Sequence, residues 1–239
     1  MDGEGRLALR LSGKIEMKVV VTGTSRGIGL ALARIVLGQG HELLAVARSS
    51  SSSPELASLQ TSYPGRCRLV DVDLRQPSAA AAIGSAIRDW VAIDLLVNCA
   101  GILTEGTQRE DFIESFLVNA IAPFELASAL LPRLKLSTNP RVIHLTSRLG
   151  SIADNRSGGH YAYRASKVAL NMINRSLALD HPWLTTVVVH PGWVRTRMGG
   201  GKAPVEPMDS ASGIWRLALG LAREHSGRFF DYQGRELPW

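Results

Sequence analysis

Two cysteines among 239 residues are too few for a disulfide framework. Cys67 and Cys99 both fall in apolar, strand-like segments and read as buried thiols of a reducing compartment, which points to a cytoplasmic protein. The six histidines show no HExxH or Cys/His ligand spacing, so no metal site is expected. Negative charge is in short supply: 27 Lys and Arg face 21 Asp and Glu, for a net charge of +6. The basic residues are nevertheless scattered, with no run of five and no interleaved aromatics, which argues against a nucleic-acid partner. The excess reads as a solvated Arg-rich surface that also attracts an anionic cofactor. No apolar run approaches the roughly 20 residues needed to cross a bilayer, so no membrane role is expected. Met1–Gly5 lack the basic and apolar regions of a signal peptide. No internal repeat occurs, and only the serine run before Pro54 is of low complexity.

What is present is an alternation. From Met17 onward, short apolar runs at Lys18–Thr22, Glu42–Ala47, Cys67–Val72, Asp94–Asn98, Val142–Ser147, Thr185–His190 and Gly227–Phe230 read as strands. Helical patterns at Gly29–Leu37, Ala79–Trp90, Asp111–Leu134, Ala165–Leu179 and Ser210–Ala222 separate them, and Pro54 opens a further helix. Continuous runs such as Val187-Val188-Val189 belong to strands covered on both faces. The fold class is therefore α/β, a doubly wound, mostly parallel sheet of about seven strands with helices on both faces. Length suits one catalytic domain over residues 17–239, with 1–16 as an N-terminal extension. The Gly- and Pro-rich stretch Gly199–Pro207 is the longest without periodicity and reads as a substrate lid.

The first strand runs into Thr22-Gly23-Thr24-Ser25-Arg26-Gly27-Ile28-Gly29 and at once into an apolar helix. Glycines there allow a tight turn and close backbone approach to a pyrophosphate, while the helix N-terminus offers unpaired N–H groups. The end of the second strand, Ala47-Arg48-Ser49, carries no acid to bind a ribose 2′-hydroxyl. Arg48, with Arg26 in the glycine loop, suits a 2′-phosphate instead. Further along, Tyr163 and Lys167 are spaced i, i+4 and share a helix face, where an ammonium is expected to lower the phenol's pKa toward useful acid–base work. Tyr161 has Ala165 four residues on and so lacks a lysine partner. Ser147 ends an apolar strand at the sheet edge where ligands bind in such folds, with Thr146 as the alternative hydroxyl.

Thr22–Gly29 resembles the TGxxxGxG signature of the short-chain dehydrogenase/reductase family, and the resemblance continues in order along almost the whole chain. It implies Gly23, Ser25, Gly27, Ile28 and Gly29 at the pyrophosphate, Arg26 and Arg48 at a 2′-phosphate, and Asp73-Leu74 at the adenine, with Asp71 as competitor. Asn98-Cys99-Ala100-Gly101 resembles the NNAG motif, with Cys99 in place of the second asparagine. By the same resemblance Tyr163 is the catalytic acid/base, and Lys167 binds the nicotinamide ribose. Ser147 holds the substrate oxygen, and Asn119 completes a proton relay. His190-Pro191-Gly192-Trp193-Val194-Arg195-Thr196 resembles the PG motif, placing Pro191, Gly192, Val194 and Thr196 at the nicotinamide. Trp193 and Arg148 are expected on the substrate side.

Ser147 and Tyr163 lie further apart than is usual in the family, and Ser151–Gly159 absorbs the extra length. Details around Ser147–Ile152, Tyr163–Asn171 and Phe230–Gly234 look like the C-factor/sniffer-type carbonyl reductase branch. Arg197 departs from it, standing where acidic residues are common; it alters lid contacts or favours an acidic substrate. The implied function is NADPH-dependent reduction of a ketone, aldehyde or quinone, with NADP(H) preferred over NAD(H). An NAD-dependent alcohol dehydrogenase and a non-catalytic dinucleotide-sensing protein are the alternatives. Partners are a small carbonyl or alcohol and a second copy of the chain, through the helices carrying Asn119 and Tyr163.

Overall fold

A computed structural model describes residues 16–49 and 53–239. The expected extension, apart from Glu16, and serines 50–52 lie outside the described residues. Seven strands form one sheet: β1 (Lys18–Thr22), β2 (Glu42–Ala47), β3 (Cys67–Asp71), β4 (Leu95–Asn98), β5 (Arg141–Leu145), β6 (Thr185–His190) and β7 (Phe229–Asp231). Their order is β3-β2-β1-β4-β5-β6-β7, with every named pairing parallel. Seven α-helices connect them: α1 (Gly27–Gly38), α2 (Pro54–Ser62), α3 (Ala79–Ala86), α4 (Arg109–Phe116), α5 (Ala122–Leu134), α6 (Tyr161–Asp180) and α7 (Pro207–Gly220).

The valine runs explain the two layers. Side chains alternate along a strand, so Val19 and Val21 point to one face and Val20 to the other. Val19, Val21, Ala45, Val97 and Ile143 pack with Leu32, Val36, Ile214 and Trp215 of α1 and α7. Val20, Leu44, Leu96 and Val142 pack with Ile83, Trp90, Leu126 and Leu130. Each such side chain, taken fully out of water, stabilises the fold by about 1.5–3 kcal/mol. Chain order reverses between β1 and β4. That crevice at the carboxyl ends of the strands is where open α/β sheets bind ligands.

Three boundaries differ from the sequence expectation in ways that matter to the site. Strand β5 ends at Leu145, so Thr146 and Ser147 follow it rather than belong to it. Helix α6 begins at Tyr161, four residues before the expected start, which puts Tyr163 in its first turn. The single helix expected over Asp111–Leu134 is broken by a π turn at Leu117–Ile121. Pro123 has no N–H for the Asn119 carbonyl four residues back, and the helix widens, with the Ala122 N–H reaching the Leu117 carbonyl. Within the composite stretch Arg109–Leu134 an 18-residue window reaches a mean hydropathy of 1.4, long and apolar enough by composition to cross a membrane although charged and polar residues interrupt the stretch. Half of it is buried, and Leu126, Ala127, Leu130 and Leu134 belong to the core beside Ile83.

Candidate active site

The glycine loop is held shut by contacts that leave no room for side chains. Gly23 and Gly27 have φ of 76° and 57°, and a Cβ on Gly29 would collide with the Gly23 carbonyl. A Cβ on Gly23 would sit 2.9 Å from Ala100 Cα, so the loop lies directly against the residues after β4. Thr22 Oγ1 joins the two by accepting from the N–H groups of Cys99 and Ala100, each at 3.1 Å. At the start of α1 no side chain caps the helix and the first turn carries no acid, which leaves its positive end open to an anion.

From this loop a groove of about 660 Å³ runs across the carboxyl edge of the sheet. It gathers Gly23, Ser25, Arg26, Gly27, Ile28 and Gly29 with Arg48, Asp73, Leu74, Ala100, Gly101, Tyr163, Lys167, Pro191 and Thr196. Five of the expected catalytic and coenzyme-binding residues do not line it, nor do Arg148 and Trp193, expected on the substrate side. The Asn98 amide donates to the Pro123 carbonyl at 3.3 Å and pairs with His144 Nδ1 at 3.1 Å, so it ties β4 to β5 and α5. Val194 is buried and pairs with Val205 across the lid. Gly192 opens onto a second cavity of about 290 Å³, together with Arg148 and Tyr232. Asn119 and Ser147 stand just behind the groove wall. Trp193, expected on the substrate side, is 56% exposed, outside the groove, and donates to the Gly199 carbonyl at 2.7 Å.

At the far end, Tyr163 and Lys167 face inward from α6, both buried. The Lys167 ammonium donates to the Leu145 carbonyl at 2.8 Å and lies 5.8 Å from the centre of the Tyr163 ring. Gly101 is the close neighbour: a Cβ there would lie 3.6 Å from Lys167 Nζ and 3.2 Å from Asn119 Oδ1. Asn119 accepts from the Ile102 N–H at 2.9 Å and donates to the Ile102 carbonyl and Ser166 Oγ, each at 3.0 Å. It therefore fixes the loop after β4 against α6. Ser147 hydrogen-bonds the Tyr163 hydroxyl. Thr146 is excluded from that role because its hydroxyl is committed to Asn171 Oδ1 at 2.7 Å. The loop before α6 is clamped from below by Arg164, which donates to the carbonyls of Leu149, Gly158 and Gly159.

Electrostatics overturn one expectation. Burial raises the Tyr163 pKa above its ordinary value, with the Ser147 hydrogen bond opposing, and the lysine does not lower it. Burial instead lowers the Lys167 ammonium to about 8. His144 is pushed down to about 3 by burial and stays neutral. The Asp73 carboxyl is held below the usual range by its hydrogen bond from Arg75, 2.6 Å away, and still lines the groove. Asp71 lies outside that lining. Sequence reasoning missed Cys99, Val118 and Met198 as groove residues. Their apolarity gave no signal apart from position.

The residues fit a dinucleotide: a cradle that side chains would fill, an open helix N-terminus, arginines at one end and a buried hydroxyl–lysine pair at the other. A groove of this kind on a doubly wound sheet defines a nucleotide-dependent oxidoreductase. The chain belongs to the short chain dehydrogenase family, which matches residues 17–206, and it is an oxidoreductase. C-signal of Myxococcus xanthus is 47% identical over 154 residues, 62% of this chain and 93% of that protein. Short-chain dehydrogenase srdF of Neurospora crassa is 32% identical over 92% of this chain and 97% of its own length. Among solved structures, the NADPH-bound carbonyl reductase from chicken fatty liver superposes with a TM-score of 0.89 at 29% identity, over 94% of this chain and 99% of that one. The carbonyl reductase Sniffer of D. melanogaster gives 0.87 at 31% identity, over 94% and 100%.

Proposed function

We propose that residues 17–239 form one catalytic domain that reduces a small carbonyl compound to an alcohol with NADPH. The observation that carries this reading is the groove itself, with Arg26 and Arg48 at one end and Tyr163 and Lys167 at the other, and Ser147 beside the Tyr163 hydroxyl behind the wall. NADPH, when bound, supplies the hydride. The chain's own task is to hold the carbonyl and deliver a proton to its oxygen. Ser147 Oγ polarises that oxygen, and the Tyr163 hydroxyl donates its proton to it. Because burial raises its pKa, Tyr163 is a protonated phenol near neutrality, already in the form that reduction needs. The oxidative direction needs the phenolate, so it is disfavoured near pH 7 and gains as pH rises. Lys167, held by the Leu145 carbonyl, is placed for the ribose next to the nicotinamide. Gly23, Ser25, Gly27, Ile28 and Gly29 take the pyrophosphate, Arg26 and Arg48 the 2′-phosphate, Asp73 and Leu74 the adenine, and Ala100, Gly101, Pro191 and Thr196 the nicotinamide end.

Support for NADPH over NADH comes from the absence of an acid after β2. Two arginines stand where the 2′-phosphate would lie. Neighbours solved with NADPH or NADP, such as the Pseudomonas aeruginosa carbonyl reductase at 34% identity, are consistent with it. Exposed Ile121 and Phe124 on the Asn119 side, with Met172 and Leu179 on α6, support self-association through these helices. Two free cysteines, with no disulfide framework, suit a cytoplasmic location.

The test is oxidation of NADPH and NADH against a panel of ketones, aldehydes and quinones, with Tyr163→Phe as control. NADPH-dependent turnover that the substitution abolishes, with coenzyme binding retained, is the expected result. Coenzyme binding without turnover on any carbonyl would favour a sensing role, and failure to bind either coenzyme would remove the reading altogether.

A further inference from the structure

Arg197 is a cation of the groove that the proposed reaction does not use and that, unlike the groove's Arg75 and Arg195, joins no ion pair among the described residues. It follows Thr196, and a Cβ on Gly27 would lie 3.1 Å from Thr196 Cγ2. The segment carrying Arg197 therefore passes over the first residue of α1, the helix end left uncapped and free of acids. Arg197 lines the same groove as Arg26 and Arg48. Among the described residues no ion pair neutralises any of these three. Its near neighbour Arg195 is different: it bridges Glu206 at 2.8 Å and donates to the Ala203 carbonyl at 3.1 Å, so it is a structural strut of the lid. The segment is itself braced, with the Arg195 N–H bonded to the Val205 carbonyl and the Gly199 N–H to Thr196 Oγ1.

We propose that Arg197, just before the Gly199–Pro207 lid, is a third phosphate-binding cation, directed at the pyrophosphate rather than the 2′-phosphate. The inference rests on the dinucleotide reading given above. Position decides between the two phosphates: Arg48 stands at the end of β2, where the adenine ribose belongs, whereas Arg197 lies over the start of α1, where the pyrophosphate belongs. Arg26 lies between them and feels both. Burial lowers its pKa first, then the charge of Arg197, then that of Arg48. Arg26 is thus repelled by Arg197 on one side and by Arg48 on the other, and bound phosphates offset that repulsion.

Equilibrium binding of NADPH and NADH, followed by coenzyme fluorescence without any carbonyl present, tests this directly. Arg197→Gln is expected to weaken both coenzymes by a similar factor, about tenfold, because both carry the pyrophosphate. Arg48→Gln is expected to weaken NADPH alone. Arg197→Lys should recover part of the loss, and the dependence of NADPH affinity on salt should become shallower in Arg197→Gln. Weakening confined to NADPH would overturn the assignment in favour of a third 2′-phosphate ligand. Unchanged affinity for both coenzymes, in a variant with wild-type thermal stability, would overturn it in favour of a solvated charge. Either result leaves the oxidoreductase reading intact, whereas absence of coenzyme binding by the wild-type protein would defeat that reading itself.

Discussion

Replacing Lys167 with methionine should yield a protein that is inactive yet more stable. Lys167 is 4% exposed, its ammonium donates only to the Leu145 carbonyl, and no ion pair among the described residues includes it. Burial brings its pKa from 10.5 to about 8. At about 1.4 kcal/mol per pH unit, that fall means roughly 3 kcal/mol of instability while the group is charged. Losing the hydrogen bond to Leu145 gives back about 1 kcal/mol, leaving a net gain of about 2 kcal/mol for the variant near pH 7. For a chain of this length that corresponds to a rise in Tm of about 4–8 °C.

The pH dependence makes the argument specific. The folded-state pKa lies below the unfolded one, so between about 8 and 10.5 the unfolded chain binds more protons. Wild-type stability therefore climbs with pH across that window, and the full penalty applies below it. Methionine does not titrate, so the variant's advantage should shrink steadily as pH rises above 8. Thermal melts of coenzyme-free protein at pH 7 and pH 9.5 read both effects, and a turnover assay confirms the lost activity. No gain at pH 7, or a gain unchanged at pH 9.5, would refute the view that a functional charge is held here against its desolvation.

Thr146 and Ser147, adjacent in sequence, should separate cleanly. Thr146→Val leaves the buried Asn171 without its donor and should cost about 1–3 kcal/mol in urea unfolding with kcat little changed. Ser147→Ala should lower kcat by about a hundredfold with a much smaller stability loss, and the reverse pattern would exchange the roles of the two hydroxyls. Gly29→Ala drives a methyl group into the Gly23 carbonyl, so coenzyme binding measured by fluorescence should be lost and the melt lowered by several degrees. Undiminished affinity would show that the loop is not the cradle described. Cys67 is 5% exposed and its thiol is pushed up to about 11 by burial, so it should not react with a disulfide reagent at pH 8 until the chain unfolds. Rapid labelling of Cys67 in the native protein would contradict the packing around it.

Legibility in the sequence followed the range of the interaction. The glycine loop could be read because its strand, turn and helix are contiguous, and the Tyr163–Lys167 pair because four residues of helix bring them to one face. Ser147 was placed by its position just after a strand. Asn98 stays off the groove lining because its amide turns to His144, 46 residues on, and to the Pro123 carbonyl. No local pattern encodes that pairing. The π turn at Asn119 had a signal, a proline four residues later, that only becomes meaningful once the helix is known to continue past it. The direction of the Tyr163 pKa was misjudged because spacing reports proximity and says nothing of burial.

The sequence by itself determined the sheet, the glycine cradle, the hydroxyl–lysine pair and the absence of an acid after β2, since each rests on residue type and short spacing. Tertiary structure alone decided what faces the groove and what is charged within it. Burial is set by every layer packed over a side chain, so a lysine lowered to about 8, a phenol kept protonated and an arginine that feels the charges of two others from distant segments emerge only when those segments meet.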